Sequence, residues 1–162
     1  KEPRIENRED WKRDAWVADM VAALDRDRYF RWFDSGDMYA LGLAEKILAV
    51  MEQTPWVRHW LPTRMHKFPK FADVLARMQA LPNVMVRPSS DSVTGEFEPG
   101  IHGSVIVPSV EAIPANATLC HAANNAGKCG ACRACYSKDV AVVAYVAHGR
   151  SMIKVVREQL AA

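Results

Sequence analysis

Short strand-like segments alternate with helix-like segments through the first half of the chain, and this order constrains the fold more than any other feature of the sequence. Three segments rich in β-branched or aromatic residues each end in a polar loop, and a longer segment with apolar side chains at helical spacing follows two of them. The predicted strands cover residues 28–33, 57–61 and 84–87, and the predicted helices cover residues 38–53 and 71–81. A β-α-β-α-β order predicts a parallel sheet with right-handed crossovers.

The flanking segments extend this pattern without completing a closed barrel. The sequence predicts an amphipathic helix at residues 9–25, an irregular loop at 92–103, a fourth strand at 104–107, a β-branched run at 140–146 and a short terminal helix at 151–160. These units are too few for an eight-stranded barrel. We therefore expect a single α/β domain over residues 1–162, built as a partial, open parallel barrel of about four to five strands with flanking helices.

Composition and charge limit the partners that such a domain can have. The chain of 162 residues is 49% apolar and has a formal net charge of +2, so its charge gives no support to nucleic-acid binding. Its apolar runs are shorter than the roughly 20 residues of a membrane helix, and its N-terminal segment is too charged for a secretory signal. We expect a cytoplasmic protein with no membrane partner. The chain begins at Lys1, so we also expect that an initiating segment, a tag or a longer N-terminal region has been removed.

All four cysteines lie within one short segment of the chain. Cys120, Cys129, Cys132 and Cys135 have the spacing C-x8-C-x2-C-x2-C. The C-x2-C-x2-C run is the core of the bacterial ferredoxin pattern, in which successive thiolates hold one iron–sulfur cluster. The residues between these cysteines are mostly small, which lets the chain curl around an inorganic core. We predict one [4Fe-4S] cluster in a binding segment at residues 118–137, with Cys120 as the fourth ligand.

Zinc is the chief alternative to a cluster, because four thiolates also form a closed structural Zn²⁺ site. The commonest zinc layout uses two separate C-x2-C knuckles, and three ligands from one seven-residue run fit a single tetrahedral ion less easily. Disulfides or free thiols are a third interpretation, which a reducing compartment disfavours. His121 could replace one thiolate, although a histidine beside a ligand is more often a surface group or a group that supports a ligand.

The chain also resembles a known family from about Arg31 to Gly149. The resemblance rests on an ordered set of short motifs: Ser35-Gly-Asp37, Thr63-Arg64, Pro82-Asn-Val84 with Ser89-Ser90, Lys128-Cys-Gly-Ala-Cys-Arg-Ala-Cys135, and His148-Gly149. These motifs resemble the bacteriophage gene product 88 family. The resemblance implies a phage origin, a phage-infected host cell as the location, and an iron–sulfur protein with a partial α/β barrel reminiscent of radical-SAM enzymes. Members tend to carry an upstream cysteine-containing region, which this chain lacks.

Polar loops after the predicted strands hold further candidate residues, because ligands of open parallel sheets bind beyond the carboxyl ends of the strands. Asp37 and Arg64 are expected to bind an anionic substrate, to support the cluster or to form an internal charge pair. Helix capping is the alternative for the aspartates and serines of these loops, Asp34 and Ser35 included. Arg133 is expected to offset thiolate charge, whereas His148 either approaches the cluster or lies in a turn before the last helix.

The five tryptophans are expected to pack in the core rather than to form a base-stacking platform. They fall on predicted helices and strands and not on a basic, glycine-rich surface. They are Trp11, Trp16, Trp32, Trp56 and Trp60.

A protein that holds one [4Fe-4S] cluster through four cysteines is expected to act in electron transfer or redox sensing, with a redox partner or small molecule that the sequence does not identify. One alternative is an enzyme related to radical-SAM proteins in which the cluster is auxiliary. The chain lacks the C-x3-C-x2-C spacing that those enzymes use to leave one iron open. The other alternative is a zinc-stabilised interaction or nucleic-acid-binding module.

Overall fold

Two compact units make up the chain, and each contains a small parallel sheet. The computed structural model describes residues 8–34, 36–90, 102–148, 154 and 156–158. Contacts group the chain into the units Lys1–Val86 and Arg87–Ala162. The assignment of residues 1–162 to a single α/β domain stays a prediction. Among the helices that the structure describes, none is both long and apolar enough to cross a membrane.

Three strands and three helices alternate in the first unit. The strands are β1 (Tyr29–Arg31), β2 (Arg58–Thr63) and β3 (Val84–Pro88), and they form one sheet in the order β1-β2-β3. The last two residues of β3, Arg87 and Pro88, belong to the second unit. The helices are α1 (Trp16–Ala23), α2 (Leu41–Gln53) and α3 (Ala72–Ala80). β1 and β2 run parallel, with Tyr29 opposite Arg58. The predicted β-α-β-α-β order is confirmed.

Helix α2 supplies much of the core of this unit. Its buried side chains recur at helical spacing, at Leu43, Ala44, Ile47, Leu48, Val50 and Met51. The helix ends before Thr54, whose hydroxyl donates to the Val50 carbonyl at 2.7 Å. The side-chain amide of Asn83 donates to the carbonyls of Met51, Thr54 and Val57 at 3.1–3.2 Å. Asn83 therefore ties the end of α2 to the chain that enters β2.

The tryptophans of this unit are buried to very different degrees. Trp32 and Trp60 are buried, as expected of core residues. Trp11 and Trp16 are half-buried at the edge of the core, and Trp56 is 41% exposed. The prediction that all five pack in the core is therefore correct for only some of them.

The second unit contains a three-stranded parallel sheet. Its strands are β4 (Gly103–Val107), β5 (Ala117–Leu119) and β6 (Val142–Val146), in the order β4-β6-β5. Val142 of the central strand pairs with Gly103 on one side and with Ala117 on the other. The fully buried part of its apolar cluster is Val105, Val107, Val142 and Ala144. The cysteines lie in the connection between β5 and β6.

The predicted open barrel of about four to five strands does not appear in the described residues, where six strands form two sheets of three. The predicted segments 104–107 and 140–146 do form β4 and β6. Irregular chain and 3₁₀ turns, and not long helices, connect the strands of the second sheet. The alternation of strands and helices in the sequence therefore does not predict how many strands this sheet has. Most of the predicted loop 92–103 and helix 151–160 lies outside the described residues; Lys154 and residues 156–158 are helical.

Two other predictions differ from the structure in their extent. The helix predicted at residues 9–25 is interrupted, and α1 begins only at Trp16. Residues 11–15 form turns in which Lys12 pairs with Glu9 and Arg13 pairs with Asp10, each three positions earlier. Strand β5 was not predicted, because three residues carry no recognisable period.

His59 on β2 is a fully buried histidine with one tautomer fixed by its partners. The Thr54 hydroxyl uses its hydrogen to donate to the Val50 carbonyl. The Thr54 oxygen therefore accepts a hydrogen bond from the Nε2–H of His59, at 2.8 Å. The other ring nitrogen, Nδ1, accepts the indole N–H of Trp32 at 3.3 Å. Protonation would place a second N–H against that of Trp32. Burial lowers the pKa of His59 to about 4.

This lowered pKa predicts a loss of stability in mild acid. In the folded protein the pKa of His59 is about 4, below its ordinary value of 6.5. The stability that neutral His59 contributes is therefore fully present above pH 6.5 and is lost as the pH falls towards 4. We expect the free energy of unfolding of the first unit to fall across this window, by at most about 1.4 kcal/mol per pH unit. Tryptophan fluorescence in urea measures it, because all five tryptophans precede Val86. The variant His59→Gln should flatten this slope, and an unchanged slope would contradict the assignment.

Candidate metal centre

The four cysteines occupy three different kinds of local structure. Cys120 follows β5 directly, and its N–H donates to the Ala144 carbonyl of β6 at 2.8 Å, so the sheet fixes its main chain. Cys135 lies in a 3₁₀ turn, Ala134–Tyr136. Cys129 and Cys132 lie between them in a tight turn in which the Cys132 N–H donates to the Cys129 carbonyl at 3.0 Å. The chain thus reverses at Cys129–Cys132 and returns towards β6.

All four cysteines line one pocket of the second unit. None of them forms a disulfide; Cys129 and Cys132 are exposed, and Cys120 and Cys135 are half-buried. His121, Lys128 and Arg133 line the same pocket, together with Leu119, Ala122, Asn125, Ala134, Tyr136 and Val143. The structure therefore brings the sequence-predicted ligands together around one opening, with two of the sulfurs accessible from solvent.

The donor set of this pocket fits an iron–sulfur cluster. Four thiolates are the ligands that a [4Fe-4S] cluster takes, and the pocket offers four free thiols. Within the part of the chain that the structure describes, no group of three or more His, Cys, Asp or Glu side chains is arranged to hold a single metal ion. The donor set that the pocket offers is the four cysteine thiols, which suit an iron–sulfur cluster or a structural Zn²⁺ site.

Left-handed backbone conformations produce the sharp path of this loop. Gly127 has φ +75° and Gly130, between the second and third cysteines, has φ +55°. Ala126 shares this conformation at φ +48°, which L-residues with a side chain adopt rarely. The small residues between the cysteines therefore allow the chain to turn tightly, as expected for a chain that wraps closely around a bound group.

Arg87 fixes the segment that follows the cysteines. Its side chain is fully buried, and its guanidinium donates to six main-chain carbonyls at 2.8–3.3 Å. Two of these belong to Ala134 and Cys135 in the cysteine-bearing turn, and the others belong to Gly103, Ser137, Val140 and Ala141. One side chain therefore provides donors for carbonyls along a whole irregular segment, in hydrogen bonds that are partly buried.

The charge of Arg87 also acts on the cysteines. Burial lowers the pKa of the Arg87 guanidinium, and the neighbouring Cys135 and Tyr145 oppose that shift. In turn, burial raises the pKa of the Cys135 thiol, whereas the Tyr145 hydroxyl and the Arg87 charge act in the opposite direction. The buried Arg87 cation favours the negatively charged form of Cys135, and thiolates are the forms that bind metals.

Tyr145 on β6 is the other side chain in contact with a candidate ligand. Its hydroxyl lies 3.3 Å from the Cys135 sulfur, within hydrogen-bonding distance for sulfur. Burial and the neighbouring Cys135 raise the pKa of Tyr145 above its ordinary value, so this group stays a protonated phenol. A protonated phenol beside a thiolate donates the hydrogen bond.

The sequence did not predict the roles of Arg87 and Tyr145. Arg87 was only the last residue of a predicted strand, Val-Met-Val-Arg, and Tyr145 was part of a β-branched run. One signal was available for Arg87. Strands of parallel sheets are buried on both faces, so an arginine within such a strand must satisfy its donors inside the protein.

The other predicted site residues lie in different places. Arg133 lines the cysteine pocket as expected, and its guanidinium donates to the carbonyls of Gly130 and Cys132, both at 2.7 Å. His148 follows β6, is exposed and is not among the residues that line the pocket. Its neighbours Gly149 and Arg150 lie outside the described residues.

Asp37 and Arg64 belong to the first unit, where the loops after β1 and β2 meet as predicted. Asp37 Oδ1 accepts the Thr63 hydroxyl at 2.8 Å, and Oδ2 accepts the main-chain N–H of Arg64 at 2.6 Å. Asp37 therefore holds the turn after β2. Helix capping by Asp34 is wrong, because Ala40 precedes α2 and no side chain caps that helix; Ser35 lies outside the described residues.

One family model matches this chain, over residues 1–138, and it is described as gene product 88. The match covers most of the chain and includes all four cysteines. The chain belongs to the gene product 88 family. No curated protein and no solved structure shows a significant match.

Membership of the gene product 88 family confirms the resemblance that the short motifs indicated. The matched region ends at residue 138, just after the last cysteine and before β6. Both Arg87 and the cysteine-bearing loop of this gene product 88 member therefore lie inside the family region. Tyr145 lies beyond it.

Removal of the Arg87 guanidinium should destabilise the second unit selectively. We expect Arg87→Met to remove a donor from six carbonyls, of which those of Ala134 and Ala141 also accept a main-chain N–H, and to lower the stability of this unit by roughly 3–5 kcal/mol. Hydrogen exchange measured by mass spectrometry on peptides covering residues 134–146 reports the change.

The matched control is Arg133→Met, which makes the same chemical change at an exposed arginine of the same loop. We expect Arg133→Met to change the free energy of hydrogen exchange of the same peptides by less than about 1 kcal/mol. Equal protection in the Arg87→Met variant and the unmodified chain would contradict the role assigned to Arg87.

Proposed function

We propose that this member of the gene product 88 family is a phage-type iron–sulfur protein that binds one [4Fe-4S] cluster through Cys120, Cys129, Cys132 and Cys135. The observation that carries this proposal is the convergence of four free thiols, spaced C-x8-C-x2-C-x2-C, on one pocket. When bound there, the cluster would supply one-electron transfer. We place the protein among electron carriers or redox sensors.

Several polar groups that line the pocket or contact Cys135 have a role in this proposal. Lys128, Arg133 and Arg87 offset the negative charge of four thiolates and of the group that they hold. Arg87 also keeps the turn around Cys135 in place before the metal binds. The phenol of Tyr145 donates a hydrogen bond to the Cys135 sulfur, which favours added negative charge on that ligand.

The ligand count favours a carrier over an enzyme. Four cysteine ligands occupy every iron of a [4Fe-4S] cluster, which leaves no position for a substrate. The spacing C-x3-C-x2-C of radical-SAM enzymes is absent from the sequence. A relation to those enzymes would therefore concern the α/β architecture and an auxiliary cluster, not their chemistry.

Anaerobic purification of the full chain tests the proposal. We expect a brown protein that contains iron and acid-labile sulfide in equal amounts and that bleaches with dithionite. A colourless protein with stoichiometric zinc would contradict the cluster and support the zinc alternative instead.

Single ligand replacements then identify the ligands. We expect each Cys→Ser variant to lose or degrade the cluster, since serine is a poor ligand for it. The control His121→Ala changes a lining residue that is not a proposed ligand, and it should retain iron and sulfide in full. Full retention after Cys120→Ser together with loss after His121→Ala would show that His121 and not Cys120 completes the site.

The hydrogen bond from Tyr145 predicts a shift in reduction potential. Tyr145→Phe removes a donor to a ligand sulfur and should make the reduced state harder to form. We expect the potential to fall by roughly 20–60 mV, equivalent to one hydrogen bond of about 0.5–1.5 kcal/mol for a one-electron couple. A spectroscopic redox titration measures the shift. An unchanged potential in a variant that retains full iron would contradict the role of Tyr145.

A further inference from the structure

Two of the four cysteines, Cys129 and Cys132, are the first and last residues of one turn of the chain. The N–H of Cys132 donates to the Cys129 carbonyl at 3.0 Å, which closes this turn over four residues. A turn of this kind holds its first and fourth Cα atoms within about 7 Å of each other. Disulfides connect Cα atoms that are about 4.4–6.8 Å apart. The main chain therefore brings these two cysteines to about the separation that a disulfide needs.

Side-chain hydrogen bonds hold this turn at both ends. The Arg133 guanidinium donates to the carbonyls of Gly130 and Cys132, both at 2.7 Å. On the other side, the side-chain amide of Asn125 donates to the Lys128 carbonyl at 2.9 Å. Gly130 has φ +55°, which a glycine adopts without strain. Contacts within the loop itself thus fix the shape of the turn.

The four thiols differ in how easily a reagent reaches them from solvent. Cys129 and Cys132 are exposed, whereas Cys120 and Cys135 are half-buried. The Cys135 sulfur also lies 3.3 Å from the Tyr145 hydroxyl. Since thiol–disulfide exchange requires access to the attacking sulfur, a bulky disulfide reagent reacts first with Cys129 or Cys132.

Spacing along the chain does not by itself select a pair. Two residues separate Cys132 from Cys135, just as two residues separate Cys129 from Cys132. Cys129 is also close enough to Cys135 for its charge to act on that thiol. A disulfide to Cys135, however, would give up the contact with Tyr145 and would form on a turn that Arg87 holds through two carbonyls. The structure therefore favours the pair of exposed cysteines.

We propose that Cys129 and Cys132 of the metal-free chain form a reversible disulfide by exchange with a small disulfide such as oxidised glutathione. One cysteine thiolate attacks a glutathione sulfur, the S–S bond of glutathione breaks, and a mixed disulfide forms as one reduced glutathione leaves. The second cysteine thiolate attacks the mixed disulfide and releases the other glutathione. In total, the two cysteines lose two protons and two electrons, and one oxidised glutathione gains them to become two reduced molecules.

This disulfide would control metal loading. It removes two of the four thiols that the pocket offers. A [4Fe-4S] cluster with four cysteine ligands, or a zinc ion with four thiolates, could then bind only after the disulfide is reduced. This consequence rests on the proposed function, whereas the disulfide itself requires only the two thiols and the turn that joins them.

Peptide mapping of the full chain tests the pairing. A chelator first removes metal, oxidised glutathione is added in excess, and iodoacetamide then blocks the thiols that have not reacted. The chain is digested with trypsin without reduction, and the peptides are identified by mass spectrometry. A parallel sample is oxidised in concentrated urea, where the turn and the burial of the cysteines are lost.

Trypsin distinguishes the possible pairs because it cuts after Lys128 and Arg133. The exposed pair then lies within peptide 129–133, and Cys135 lies in peptide 134–138. We expect peptide 129–133 to be lighter by two hydrogens and the other two cysteines to be alkylated. This internal disulfide should exceed all links between peptides by at least about tenfold, a ratio that corresponds to about 1.4 kcal/mol. In urea, links from peptide 129–133 to peptide 134–138 should become comparable in amount.

Two variants give a matched comparison. Cys132→Ser leaves Cys129 without its partner in the turn, so peptide 129–133 should instead carry glutathione. The control Cys135→Ser makes the same change at a half-buried cysteine and should keep the internal disulfide. Unreacted exposed thiols, or links between peptides that equal or exceed the internal disulfide in the absence of urea, would overturn the proposal.

Reconstitution with iron and sulfide separates this inference from the proposed function. We expect the oxidised chain to take up iron only after treatment with dithiothreitol, and then to the level of a chain that was never oxidised. Full iron uptake while the disulfide is intact would overturn the control of metal loading. Failure of the never-oxidised chain to take up iron would contradict the proposed function, while the peptide map still decides the disulfide.

Discussion

The buried guanidinium of Arg87 is the interaction on which the second unit depends. Among the described residues of this unit, four small or medium side chains form the fully buried apolar cluster of its sheet. Arg87 adds polar contacts to this apolar cluster, because it donates hydrogen bonds to carbonyls at both ends of the segment 134–141 and to the carbonyl of Gly103 at the start of β4. A hydrophobic residue at this position could fill the space but could not satisfy those carbonyls.

The same constraint links folding to the chemistry proposed for the cysteines. A cation enclosed by carbonyl dipoles still carries its full charge, and the Cys135 thiol beside it can become an anion. Four thiolates gathered around a metal would place negative charge next to this cation, so metal binding and the stability of the unit should reinforce each other. Under the proposed function, a bound group would therefore add to the stability that apolar burial provides.

The sequence predicted those features that repeat or that lie close together along the chain. The alternation of strands and helices in the first unit has a period that can be recognised, and the loops after β1 and β2 meet at Asp37 because parallel strands end at the same edge. The cysteine pocket was predictable because its four cysteines lie within sixteen positions. Strand β5 was not predictable, because three residues carry no recognisable period. The role of Arg87 was not predictable either, since it depends on contacts between residues far apart in sequence, such as Arg87 and Ser137, which are 50 positions apart.

The central claim is that the four cysteines together hold one [4Fe-4S] cluster, and native mass spectrometry of the anaerobically purified chain tests it most directly. The account predicts a mass increment of one [4Fe-4S] unit on a chain that has lost four thiol protons, and the loss of that increment when any one of the four cysteines is replaced by serine. An increment of a single zinc ion, or the mass of the bare chain from a preparation kept free of oxygen, would contradict it.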